Sequence, residues 1–124
     1  MKLAESDVLA MVAVKDLEKA KEFYAGTLGL QQAMENMGGV GYKCGGGKLF
    51  VYQSDTAGTN KATSASWEVH DIEAVVAELK AKGVTFETYD IPGAKQEGDV
   101  SVMGEMKAAW FKDPDGNTLG LTQM

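Results

Sequence analysis

The chain has 124 residues, enough for one hydrophobic core and too few for two full-sized domains. Its 44% apolar and 24% charged residues exclude a largely disordered polypeptide. Eighteen acids against twelve bases give a formal net charge of −6, whose field repels nucleic acid and anionic membranes alike.

The N-terminal stretch carries Glu5 and Asp7 ahead of its apolar run and lacks the basic segment of a secretory signal. No window reaches the ~18 apolar residues of a membrane helix, so a cytoplasmic setting is the expectation. Val8 to Val14 is apolar and rich in β-branched residues, which predicts a strand. Leu17, Ala20, Phe23, Tyr24 and Leu28 then recur at helical spacing, with Asp16 placed to cap the first turn and Gly26 and Gly29 to close the helix. Three strand candidates follow at Gln31 to Asn36, Val40 to Cys44 and Lys48 to Gln53. The turns between them are Met37-Gly38-Gly39 and Gly45-Gly46-Gly47. Cys44 is the one cysteine, which excludes an intrachain disulfide and a cysteine-rich metal site. The polar run Ser54 to Thr63 reads as a linker.

The same order then resumes. Ser64 to Val69 is a strand candidate, Asp71 a cap, and Ile72, Val75, Val76, Leu79 and Ala81 mark a helix ending at Gly83. Further strands are expected at Thr85 to Tyr89, around Val100 to Met106, at Ala108 to Phe111 and at Thr118 to Thr122. Ile91 to Gly98 reads as a long loop, and Asp113-Pro114-Asp115-Gly116-Asn117 as a tight turn. Residues 12–18 match residues 67–73 at a constant offset of 55, and residues 49–53 match residues 119–123 at an offset of 70. Two matches in the same order indicate an internal repeat. The fold class is therefore α+β: one domain over 1–124, with module one at about 6–57, a linker at about 55–63 and module two at about 64–124.

Three motifs resemble the vicinal oxygen chelate superfamily of glyoxalases, bleomycin-resistance proteins and extradiol dioxygenases. They are Val14 to Ala20 with Phe23-Tyr24 and Leu28-Gly29-Leu30, Val69 to Glu73 with Leu79 and Gly83, and Phe111 to Asn117. The resemblance implies two βαβββ modules whose sheets form a concave, partly barrel-like wall with helices outside. It also implies a homodimer that completes each pocket. Metal-binding members hold a divalent ion with histidine, glutamate or glutamine from paired strand positions. Those positions fall here at Leu9, Phe50, Ser64 and Gly120. None is an imidazole or carboxylate, and neighbouring registers are apolar or hydroxylic, so neither a metal site nor a cofactor is expected. The one histidine, His70, lies in the turn beside the Asp71 cap.

Strand alternation, oriented by the resemblance, turns Leu9, Met11 and Ala13 toward the concavity, with Ser64, Ser66 and Glu68 as their equivalents. Phe50, Tyr52, Gly120 and Thr122 face it from the terminal strands. Ala65, Trp67 and Val69 pack under the helix. Met11, Phe50, Tyr52, Ser64, Ser66, Glu68, Trp110 and Thr122 are thus the expected ligand contacts. Glu68 has three readings: a solvated acid or partner of Lys107, a ligand contact, or a general base. Trp110 either meets ligand or packs in a core or interface, and Asp113 and Asp115 read mainly as turn formers. Gly45 to Lys48 lacks the spacing of a phosphate loop.

The leading expectation is metal-independent binding or sequestration of a small aromatic or cationic organic molecule. A metal-independent isomerase, lyase or hydrolase using Glu68 as base, with Tyr52 or Ser66 for orientation, is the alternative. A metal enzyme with a displaced site is a second one, and a purely structural concavity a third.

Overall fold

Two caps fix where the helices begin. In the computed structural model, which describes residues 2–124, Asp16 accepts a hydrogen bond from the Lys19 amide (3.1 Å) and Asp71 from the Ala74 amide (3.2 Å). Each aspartate satisfies a backbone donor that the helix itself leaves free. The first half runs β1 (Ala10–Val14), α1 (Leu17–Lys21), β2 (Gln31–Asn36), β3 (Gly39–Cys44) and β4 (Gly47–Gln53). The second runs β5 (Thr63–Glu68), α2 (Ile72–Ala81), β6 (Phe86–Glu87), β7 (Lys95–Glu97), β8 (Val100–Met103), β9 (Met106–Lys112) and β10 (Thr118–Gln123).

The strands form two sheets with no closed barrel, ordered β1-β4-β3-β2 and β5-β10-β9-β8-β7, with β6 added against β9. This is the α+β architecture expected from the repeat. Its symmetry holds at the level of single residues. Val12 lies opposite Val51 in the parallel β1–β4 pair, and Trp67 opposite Leu121 in the parallel β5–β10 pair. Adding 55 to the first residue and 70 to the second converts one pair into the other.

Four local features depart from expectation. The first strand begins at Ala10, leaving Val8 92% and Leu9 44% exposed. The β1–β4 pairing stops at Ala10 opposite Leu49, so neither residue is paired. The first helix does not continue in α form: after Lys21 it widens to a π-helical turn over Glu22–Thr27, closed by the Leu28 amide bonding the Phe23 carbonyl (2.8 Å). The stretch read as a loop at Ile91 to Gly98 contains β7, a short strand in a hairpin with β8. Its Lys-Gln-Glu sequence has no apolar alternation because all three residues are exposed. Lastly, the strand read at Thr85 to Tyr89 shrinks to two residues.

One apolar core runs through both halves, from Val12, Tyr24 and Val51 to Ile72, Phe111 and Leu119. Phe23 reaches across to Phe111 with ring centroids 6.4 Å apart. The halves are also tied by a buried polar hub in the turn after β9. The Asp113 carboxylate accepts from the amides of Asp115 (3.0 Å) and Asn117 (2.9 Å), from the Asn117 side-chain amide (2.8 Å) and from the Tyr24 hydroxyl (2.8 Å). Asn117 in turn donates to the Ala13 carbonyl (2.7 Å) and accepts from the Gly58 amide (3.3 Å). The turn aspartate is thus the point where β1, the π-helical turn, the linker and β10 meet.

Burial, reinforced by the Asp113 charge, raises the Tyr24 hydroxyl far above the ordinary phenol range. A group whose pKa is higher folded than unfolded stabilises the fold fully below the unfolded value, about 10 for tyrosine, and loses that contribution as pH rises. Stability should therefore fall above about pH 10, Tyr24 contributing up to about 1.4 kcal/mol per pH unit. Urea titrations at stepped alkaline pH check this: Tyr24→Phe, less stable at neutral pH, should show the shallower alkaline decline.

Candidate functional site

Strand register determines which residues share a face, because side chains alternate across a sheet. In the second sheet Ser66, Gly120, Trp110 and Glu87 lie side by side on β5, β10, β9 and β6. The next row on the same face is Glu68, Thr122, Ala108 and Ser101. Trp110 meets Tyr89 edge to face, with ring centroids 5.3 Å apart and planes at 79°. Trp67, Phe111 and Leu121 occupy the opposite face, beneath α2, where Trp67 and Phe111 lie nearly parallel (6.4 Å, 19°).

The first sheet carries an apolar counterpart. Met11 pairs with Phe50 and Ala13 with Tyr52. Gly41, opposite Phe50 on β3, leaves room for Met34 to lie over its backbone. Met11 and Met34 stay 47% and 48% exposed, so this face is open to solvent.

Glu68 is exposed. It does not pair with Lys107, whose ammonium holds Glu73 of α2 at 2.6 Å. The reason is parity: Ala108 shares the row of Glu68, so Lys107 projects from the other face toward the helix. The bond from Lys107 holds the Glu73 carboxyl below its ordinary range, and Glu73 reciprocally raises Lys107.

Where the sheets approach each other along β1 and β5, a groove of about 370 Å³ joins Ser66 and Glu68 to the Cys44 to Lys48 turn of the first half. Nothing in the sequence marks Cys44 or Lys48 as part of a site. Their place opposite Glu68 depends on how β1 lies beside β5, which no local pattern encodes. Met11, Phe50, Tyr52, Ser64, Trp110 and Thr122 do not line this groove.

The four positions inherited by resemblance do not fit a metal ion. Leu9, Phe50 and Gly120 have no donor side chain, and Ser64 offers one neutral hydroxyl. A β-carbon at Gly120 would stand 3.2 Å from Ser66 Oγ, a tight approach that a small shift of the serine hydroxyl relieves, and in ordinary contact with Trp110 Cδ1 at 3.5 Å. Among the described residues, no three histidine, cysteine, aspartate or glutamate side chains come together as a metal-holding group. No helix among them is long and apolar enough to cross a membrane.

Residues 8–121 match the model of the Glyoxalase/Bleomycin resistance protein/Dioxygenase superfamily. No curated protein matches the chain in sequence. Among solved structures it is similar to TnmS3, an antibiotic binding protein from Streptomyces sp. CB03234, at 26% identity over 99% of this chain and 98% of that one, with a TM-score of 0.72. A glyoxalase/bleomycin resistance protein from the same Streptomyces is 27% identical over 95% and 100% of the two chains, with a TM-score of 0.66. Lactoylglutathione lyase from Agrobacterium tumefaciens shares the fold (TM-score 0.71, 98% and 96% covered) at 16% identity.

Proposed function

We propose that this chain, which belongs to the Glyoxalase/Bleomycin resistance protein/Dioxygenase superfamily, binds a small aromatic or cationic organic molecule without a metal ion. The observation that carries this reading is the donor set. The positions that the family resemblance would assign to an ion are Leu9, Phe50, Ser64 and Gly120, which together offer one neutral hydroxyl. What these faces offer instead is stacking area from Trp110, Phe50 and Tyr52, hydroxyls from Ser64, Ser66 and Thr122, and the Glu68 carboxylate. Met11 supplies a flexible apolar contact beside Phe50. The similarity to an antibiotic binding protein over nearly the whole chain supports binding as the activity.

In this reading the chain is one cytoplasmic domain of two modules, and a second copy brings the open Met11–Phe50 face against the Trp110–Glu68 face. Half-exposed methionines on a sheet face are the kind of apolar surface that a symmetric partner covers. Glu68 attracts a cation and, being exposed and unpaired among the described residues, contacts ligand rather than abstracting a proton.

The test is a fluorescence titration against matched cationic and neutral aromatic compounds. Saturable quenching that weakens in Trp110→Phe is expected. Glu68→Gln should lose about 3–10-fold in affinity for the cation and little for its neutral analogue. No saturable response across the set, or binding that requires added Zn, Ni, Mn or Fe, would sink the metal-free binding reading. Turnover abolished in Glu68→Gln with affinity retained would instead favour an isomerase, lyase or hydrolase.

A further inference from the structure

The helix side of the second sheet holds a cavity that the proposed ligand faces do not use. Its volume is about 150 Å³ and it is lined by eight side chains: Trp67, Val69, Phe111 and Leu121 of the sheet region, Val75 and Leu79 of α2, and Leu28 and Leu30 from the segment after the π-helical turn. The lining is overwhelmingly apolar, the Trp67 indole N–H excepted, and the cavity is open to solvent. Trp67 and Phe111 both border it, their rings nearly parallel at 19° with centroids 6.4 Å apart. Strand alternation puts this cavity on the opposite face of β5, β10 and β9 from Ser66, Gly120 and Trp110.

We propose that this cavity is a separate binding site for a small uncharged hydrocarbon ring. A water molecule needs two to four polar partners, which these side chains do not provide, so the space is one that water occupies poorly. An apolar void of about this size admits one benzene-sized ring. The nearly parallel Trp67 and Phe111 rings supply aromatic surface, and Val75 and Leu79 line the cavity from α2. A charged ring is disfavoured wherever its ammonium or carboxylate is turned into the apolar lining, which does not replace the lost hydration.

Toluene and benzylammonium are the matched probes. In Trp110→Phe, Trp67 remains as the one tryptophan, and its emission should change saturably with toluene at a Kd below about 1 mM. Benzylammonium should be at least 10-fold weaker. Val75→Phe fills the cavity from the helix and should abolish the response while thermal unfolding stays cooperative. Leu30→Phe fills it from the other side and serves if Val75→Phe fails to fold. The proposal is overturned if Trp67 gives no saturable response, if benzylammonium binds as well as toluene, or if the folded filling variant binds toluene unchanged.

Discussion

Replacing Asp113 with alanine should cost about 4 kcal/mol of folding stability, a large share of the roughly 5–15 kcal/mol that holds a domain together. Four donors converge on this carboxylate: two backbone amides, the Asn117 side chain and the Tyr24 hydroxyl. Tyr24 is fully buried and Asn117 nearly so, so neither can turn to bulk water when the acceptor goes. Leaving such a donor unsatisfied costs about 1–3 kcal/mol, more than the bond itself is worth in net terms. Asn117 also bridges to Ala13 and Gly58, so the loss spreads to β1 and the linker. Asp113→Asn should lie between wild type and alanine. It keeps one oxygen for the turn amides but presents an NH₂ toward the NH₂ of Asn117. Urea unfolding measures the series; an alanine variant within 1 kcal/mol of wild type, in the sense of an ordinary exposed substitution, would show that the hub is not structural.

Gly58→Ala should cost about 3 kcal/mol, for a reason that involves no lost side chain. Gly58 adopts φ +73°, a conformation that L residues enter at a cost of about 1–2 kcal/mol. Its α-carbon also lies against the turn after β9, where a β-carbon would collide with the Asp115 carbonyl oxygen. Relieving the clash means moving the linker away and breaking the Gly58 amide bond to Asn117. Gly45 is the internal control: its φ is also positive, +55°, but nothing lies within 4 Å of a β-carbon there. Gly45→Ala should show the backbone cost alone, and thermal melts of the two variants should differ by the contribution of the clash. Equal destabilisation would mean that the linker yields freely.

Much of the architecture is legible because it rests on local rules applied twice. Asp16 and Asp71 precede apolar residues at helical spacing, and both cap as expected. The match between residues 49–53 and 119–123 predicts equivalent terminal strands, and the two parallel registers agree at four successive pairs, from Ala10–Leu49 and Ala65–Leu119 onward. What escaped detection depends on neighbours distant in sequence. β7 is exposed throughout and exists because β8 pairs with it, not because its own residues alternate. The π-helical turn has no signature in Glu22–Thr27 that separates it from an α-helical one. Asp113 reads as an ordinary turn residue, since the Tyr24 hydroxyl that makes it a hub lies 89 positions away.

The sequence by itself therefore determined a repeated strand, cap and helix, the apolar face of the strands that cover the core, and the lack of imidazole or carboxylate at Leu9, Phe50, Ser64 and Gly120. These follow from periods of two and 3.6 residues and from side-chain chemistry, neither of which needs a partner. Only the tertiary structure decided how the halves meet. It placed the Cys44 to Lys48 turn opposite Glu68, turned Lys107 to Glu73, made Asp113 the junction of both halves and left an apolar cavity under α2. Each of these is a contact between segments whose approach costs chain entropy and is selected by the shared core, so no window of the sequence contains it.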